Sequence, residues 1–206
     1  FIEPTNNYLQ KVKAICKKND ALLILDEIQP GLGRTGKLFG FQHYDCVPDI
    51  LVTGKGLGGG LPIGAFTASK AMMDTLKDNP KLGHITTFGG HPVVAAAALA
   101  TLEEISSSDL MSEALNKEKL IREHLKHSLI LEIRGRGLML AVITISAEVT
   151  NKVVLKAQEK GLILFWLLFE PRAIRITPPL TISNKDIIIG CKIIISLLDN
   201  IEKNQE

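Results

Sequence analysis

The sequence predicts an α/β protein, on three observations. Ile, Leu, Val and Ala dominate a hydrophobic content of 46%, while aromatics are only 5%, a mix that suits buried strands between helices better than a β-sandwich. Short apolar runs such as Ala21-Leu22-Leu23-Ile24-Leu25 are unbroken and closed by the acids Asp26 and Glu27, the pattern of a strand covered on both faces. Segments with apolar residues three and four apart alternate with these runs, as helices do in this class.

In chain order, Tyr8, Leu9, Val12, Ile15 and Cys16 recur at helical spacing with lysines between them, which predicts an amphipathic helix ending near Asn19. The strand over residues 21–25 follows, then a long turn marked by Gly31, Gly33 and Gly36. Residues 49–53 form a second short strand that runs directly into Gly54-Lys55-Gly56. Gly58, Gly59, Gly60, Pro62 and Gly64 prevent a helix immediately after Lys55, and residues 63–68 read as another strand. A short helix is expected over 71–76, a polar loop over 86–91, and an alanine-rich helix from Pro92 to Ile105, with proline at its first turn. Ser106-Ser107-Ser108-Asp109 is the clearest break in composition and a cap for a helix over 110–126. It divides the chain into two domains, residues 1–107 and residues 108–206. The second reads as α+β, with strands over 131–134, 138–144, 162–169 and 173–177 and helices over 151–160 and 183–200.

Bulk properties narrow the function. Lys+Arg 24 against Asp+Glu 22 leaves a net charge of +2, so no nucleic-acid partner is implied. The balance of 46% hydrophobic and 22% charged residues excludes intrinsic disorder as the main state. Cys16, Cys46 and Cys191 are odd in number and far apart without a CxxC pair, which supports neither a disulfide framework nor a zinc site and fits a reducing cytoplasm. His43, His84 and His91 lack ligand spacing, so no metal is expected. No apolar run approaches the roughly 18 residues of a membrane span. The opening Phe1-Ile2 reads as the end of a strand rather than a natural start or a signal peptide, so an N-terminal piece is expected to precede it.

Asp26 and Lys55 each sit at the carboxyl end of a predicted strand, where open α/β sheets bind their ligands. A lysine there can form a Schiff base with an aldehyde, and a buried carboxylate can keep a pyridine nitrogen protonated. Pyridoxal 5'-phosphate requires that combination. Alternation places Asp26 and Ile28 on one side of an extended backbone, one able to meet the ring nitrogen and the other the ring face, with Gln29 able to reach the ring hydroxyl.

LDEIQPGLGRTG, PDILVTGKGLGGGLPIGA and TTFGGHP, in this order, resemble the signature segments of the class III aminotransferases, which are fold-type I pyridoxal phosphate enzymes. The resemblance implies that the chain is the C-terminal part of the large domain, a mostly parallel sheet with flanking helices, followed by the α+β small domain. It further implies that Lys55 carries the cofactor as a Schiff base, Asp26 pairs with the pyridinium, Ile28 packs under the ring and Gln29 bonds its phenolic oxygen. Thr87, with Phe88 beside it, would bind the cofactor phosphate across the interface of a homodimer, and Arg175, in the Ile174-Arg175-Ile176-Thr177-Pro178-Pro179-Leu180 segment, would accept a substrate carboxylate. The reaction implied is transfer of an amino group from an amine donor to a 2-oxo acid, with 2-oxoglutarate as acceptor. The ornithine, acetylornithine and 4-aminobutyrate aminotransferases are the nearest types.

The sequence departs from the family pattern at Pro30 and His91, where threonine and asparagine are commoner. A Gln-Gly-Glu and glycine-rich stretch is missing between Pro4 and Tyr8, and the resemblance covers only about the later half of such an enzyme. Glu27 and Arg34 are motif residues given structural roles, as a pair fixing the loop. Other class III chemistry, an aminomutase or a decarboxylase, shares Lys55 and Asp26, and an inactive fragment or pseudoenzyme would keep the same motifs. From another class, Gly54-Lys55-Gly56-Leu57-Gly58-Gly59 formally matches the GxGxxG of NAD-dependent dehydrogenases, with Asp74 beyond it. That fingerprint needs a helix opening inside the glycines, which Gly60, Leu61 and Pro62 deny.

Overall fold

The computed structural model describes residues 1–5, 7–81 and 84–203. The chain divides into two compact units, Pro4–Asp109 on the one hand and Phe1–Glu3 with the chain from Leu110 onward on the other. Phe1–Glu3 thus group with the second unit rather than the first. The reason is local: Phe1 packs on Ala141, Ile143 and Ala173, and Glu3 accepts a hydrogen bond from Arg136 Nε at 3.0 Å.

The first unit contains α1 (Tyr8–Lys18), β1 (Ile24–Asp26), β2 (Ile50–Gly54), β3 (Gly64–Ala68), α2 (Lys70–Asp74) and α3 (Pro92–Ser107). Its sheet has the order β1-β2-β3. β1 and β2 are parallel, with Asp26 opposite Val52. β2 and β3 are antiparallel, so β3 is the antiparallel member of these three strands. The short link between Gly54 and Gly64 cannot hold the crossover helix that a parallel return needs.

β1 is shorter than the predicted strand and is covered on one face only. Leu23 packs with Leu9 of α1 and with Cys46, joined by Val12, Cys16 and Leu25, whereas Leu22 and Ile24 are exposed. α1 presents a narrow stripe, Leu9, Val12 and Cys16, and leaves Tyr8 and Ile15 outside it. Asp49 ties α1 to β1, accepting from Leu23 N–H at 2.8 Å and pairing with Lys13. α3 continues through Ser107, whose hydroxyl donates back to the Glu103 carbonyl at 2.8 Å; these serines extend the helix where composition predicts its end.

The second unit contains α4 (Leu110–His124), β4 (Ile130–Arg136), β5 (Met139–Thr144), α5 (Ala147–Glu159), β6 (Phe165–Leu167), β7 (Glu170–Ile176) and α6 (Asn184–Lys203). The strands form one antiparallel sheet in the order β4-β5-β7-β6. One face of it packs on the three helices through Leu138, Leu140, Val142 and Ile174, against Ile121, Val149, Val153 and Leu198. α5 starts before the predicted residue 151 because Ser146 caps it, accepting from Val149 N–H at 3.3 Å. The apolar run 162–169 is not one strand. It reverses at Leu168 and Phe169, which stand 93% and 98% exposed at the β6–β7 turn, because strand pairing, not hydrophobicity, decides where an apolar run turns back.

Candidate functional site

β1 and β2 are parallel neighbours, so their carboxyl ends emerge side by side, about 4.8 Å apart across the ladder. Asp26 is the last residue of β1 and Lys55 follows the last residue of β2. Asp26 is exposed in this chain. Its Oδ1 accepts the Ile28 N–H at 2.9 Å and so starts the turn after the strand. Lys55 holds the left-handed backbone, φ +46°, which costs a residue with a Cβ about 1–2 kcal/mol. Strain of this kind concentrates at functional positions. Neither Asp26 nor Lys55 forms an ion pair among the described residues.

The glycines around Lys55 are places of close approach. A Cβ on Gly54 would come within 3.6 Å of Ile28 Cγ2 and 3.2 Å of the Ile63 carbonyl. Ile28 therefore lies against the backbone that leads into Lys55, brought there by the turn after Asp26 and not by strand alternation, because β1 ends at Asp26. Contrary to the expectation of no helix after Lys55, residues Lys55–Gly58 make one 3-10 turn. It closes on Gly59, φ +57°, where a Cβ would sit 2.5 Å from Thr101 Oγ1 of α3. Thr101 is a supporting residue that sequence reasoning misses, because no local pattern links it to Gly59. A single 3-10 turn followed by β3 also lacks the α-helix N-terminus on which a dinucleotide pyrophosphate rests.

Gln29 is half-buried and its side chain has no hydrogen-bond partner among the described residues. Thr87 and Phe88 lie on an exposed double turn before α3, closed by Gly89 N–H to Thr86 O and His91 N–H to Phe88 O, both at 3.2 Å. Phe88 is 80% exposed, and no hydrogen bond joins this loop to Asp26, Gln29 or Lys55 among the described residues. Arg175 belongs to the other unit, in β7, opposite Ala141 of β5 and Phe165 of β6. Its Nε donates to Thr177 Oγ1 at 3.1 Å, and no carboxylate of the described residues pairs with it.

Glu27 organises the loop that carries Ile28 and Gln29. It is 4% exposed, and its two carboxylate oxygens accept the backbone N–H groups of Gly40, at 2.8 Å, and Phe41, at 2.7 Å. Burial pushes its carboxyl above the ordinary carboxylate value, a rise only partly offset by the two N–H donors. A carboxyl raised in the folded state contributes most below its unfolded value, near 4.3, and loses that contribution as pH rises through the folded value. Glu27→Gln puts an amide against a backbone N–H, and is expected to cost about 1–3 kcal/mol. Urea titrations of both proteins at pH 4 and pH 7 test this: the wild-type advantage should be larger at pH 4.

The residues at these two strand ends suit a pyridine aldehyde cofactor. They supply an amine and, on the neighbouring strand, a carboxylate, neither in an ion pair among the described residues, with the apolar side chain of Ile28 against Gly54. No three or more His, Cys, Asp or Glu side chains gather into a metal-ligating group among the described residues.

Comparison with known proteins agrees with this geometry. Residues 1–198 match the family model described as Aminotransferase class-III. The chain is 41% identical over 204 residues to an acetylornithine aminotransferase of Caldanaerobacter subterraneus subsp. tengcongensis, covering 97% of this chain and 50% of that protein. It is 39% identical over 198 residues to a leucine/methionine racemase of Thermococcus litoralis, covering 90% and 44%. Among solved structures, it superposes on an ornithine aminotransferase from Toxoplasma gondii with a TM-score of 0.86 and 34% identity, covering 98% of this chain and 48% of that one. That structure is described with partial occupancy of PLP at its active site. The chain belongs to the class III aminotransferases, a pyridoxal-phosphate-dependent family, and its fold is part of the fold-type I architecture. It spans about half the length of these relatives.

Proposed function

We propose that this chain carries the catalytic lysine and the ring-nitrogen carboxylate of a pyridoxal 5'-phosphate aminotransferase. It moves an amino group from an amino acid or related amine to a 2-oxo acid, with 2-oxoglutarate as acceptor. The observation that carries this reading is Lys55 in a left-handed backbone at the exit of β2, beside Asp26 at the exit of the parallel β1. The units Pro4–Asp109 and Leu110 onward are read as the end of the large domain and the small domain.

When bound, the cofactor supplies an electron sink for the charge that develops at the amine-bearing carbon of the substrate. Lys55 Nζ would hold the cofactor at its aldehyde carbon and, as a free neutral amine, would act as the general base at the amine-bearing carbon of the substrate. Asp26 would keep the ring nitrogen protonated, Ile28 would support the ring face and Gln29 would donate to the ring oxygen. Thr87, with Phe88 beside it, would hold the phosphate from a second copy in a homodimer. Arg175 offers a planar pair of donors to a substrate carboxylate. No helix among the described residues is long and apolar enough to cross a membrane, and the free thiols Cys16, Cys46 and Cys191 fit a reducing cytoplasm.

The similarity to a racemase favours a second reading, in which Lys55 removes the proton, the same substrate carbon is reprotonated on its opposite face, and no amino group moves. One assay separates the two. With the cofactor, an amine donor panel and 2-oxoglutarate, transamination forms glutamate; racemisation instead inverts an amino acid without consuming the oxo acid. For Arg175→Ala, KM for the carboxylated substrate should rise about tenfold or more while that for a plain amine barely changes. Equal effects on both would remove Arg175 from carboxylate binding.

A further inference from the structure

Lys117 of α4 is buried, only 6% exposed. Its Nζ donates to the Leu180 carbonyl at 2.7 Å, and the Glu113 carboxylate, one turn earlier on α4, lies 3.6 Å away. Burying a lysine amine is costly and persists only where its hydrogen bonds compensate, so this tether is a defined feature of the unit.

The tether ends on the segment that begins with Arg175. β7 stops at Ile176, and Pro178 and Pro179 have no N–H to give to a neighbouring strand. Under this crossing lies a cavity of about 520 Å³, lined by Pro178 and Pro179, by Ile121 and Leu125 of α4, and by Ile187 and Ile194 of α6. Ile176, Leu180 and Ile182 anchor the crossing on the core of the unit, and hydrogen bonds fix its backbone, among them Ile182 N–H to Pro179 O at 3.1 Å and the Lys117 bond to the Leu180 carbonyl. Thr177 lies inside the same segment, and its hydroxyl oxygen accepts the Arg175 Nε–H at 3.1 Å. A continuous relay therefore runs from Lys117 through Leu180, the two prolines and Thr177 to the Arg175 guanidinium.

We propose that Lys117 is a positioning residue for carboxylate recognition by Arg175, acting through the Pro178–Leu180 crossing and Thr177. The inference rests on the reading of Arg175 given above. It places the determinant of carboxylate affinity partly on α4, away from the group that touches the ligand.

Glutarate binding to the 206-residue chain, measured by calorimetry with the uncharged diamide glutaramide as reference, tests it on five proteins: wild type, Lys117→Met, Lys117→Arg, Thr177→Val and Arg175→Ala. Lys117→Met and Thr177→Val should each weaken glutarate about tenfold, as misplacement of a positioned group does, with little effect on uncharged glutaramide. Lys117→Arg, which can still donate to the Leu180 carbonyl, should restore binding to within about threefold of wild type. Amide exchange over residues 177–182 should rise in Lys117→Met while α5 stays protected. If Lys117→Met does not fold, Thr177→Val and Lys117→Arg carry the test alone. Unchanged glutarate affinity in Lys117→Met or Thr177→Val, with affinity lost in Arg175→Ala, overturns the role of Lys117 and leaves that of Arg175. Wild-type affinity in Arg175→Ala overturns both.

Discussion

Lys55→Ala is expected to lower turnover by about a thousandfold or more, since it removes both the amine that holds the cofactor and the base that moves the proton. The loss should not reflect unfolding. Lys55 is exposed, forms no ion pair among the described residues and holds φ +46°, so its side chain contributes little to the fold. Lys55→Gly separates chemistry from backbone further. Glycine adopts the left-handed region without the Cβ penalty, so this variant should be equally inactive and at least as stable as Lys55→Ala. Thermal melts of the three proteins beside rate measurements check the pair of expectations. Measurable steady-state transamination by Lys55→Ala would remove Lys55 from the mechanism.

The second large effect belongs to Asp26, which has two separable functions. One oxygen accepts the Ile28 N–H and sets the turn, and the charge stabilises a protonated ring nitrogen. Asp26→Asn retains an acceptor for the turn and loses the charge, so its stability should stay near wild type while turnover falls roughly a hundredfold or more. Asp26→Ala loses both and should also cost about 1 kcal/mol of stability. If Asp26→Asn turned over at the wild-type rate, the carboxylate would be only a turn residue. A kinetic isotope effect with substrate deuterated at the amine-bearing carbon would show whether the lost rate lies in proton abstraction.

The strand ends were legible because their information is local: Asp26 closes an apolar run and Lys55 follows a second strand in a glycine-rich segment. The alternation expected to carry on to Ile28 does not occur, because the strand ends at Asp26 and Ile28 lies in the turn. What was not legible depends on contacts remote in sequence. Gly59 needs to be glycine because Thr101 of α3 lies against it, and Leu180 is held by Lys117, pairs that no periodicity connects. Burial misled in one place. Residues 162–169 read as one strand because the turn between β6 and β7 is made of Leu168 and Phe169, without the glycine, proline or asparagine that usually marks a reversal. Glu27 was assigned a structural role correctly, but its partners are the backbone N–H groups of Gly40 and Phe41. Those donors depend on how the loop folds back, which the residue types do not encode.

The measurement that bears most directly on the proposed chemistry is borohydride reduction of the protein with pyridoxal 5'-phosphate, followed by peptide mass spectrometry. A phosphopyridoxyl group on the peptide containing Lys55, absent from Lys55→Ala, is the predicted result. Modification spread over surface lysines, or a dominant adduct on another residue that persists in Lys55→Ala, would contradict it.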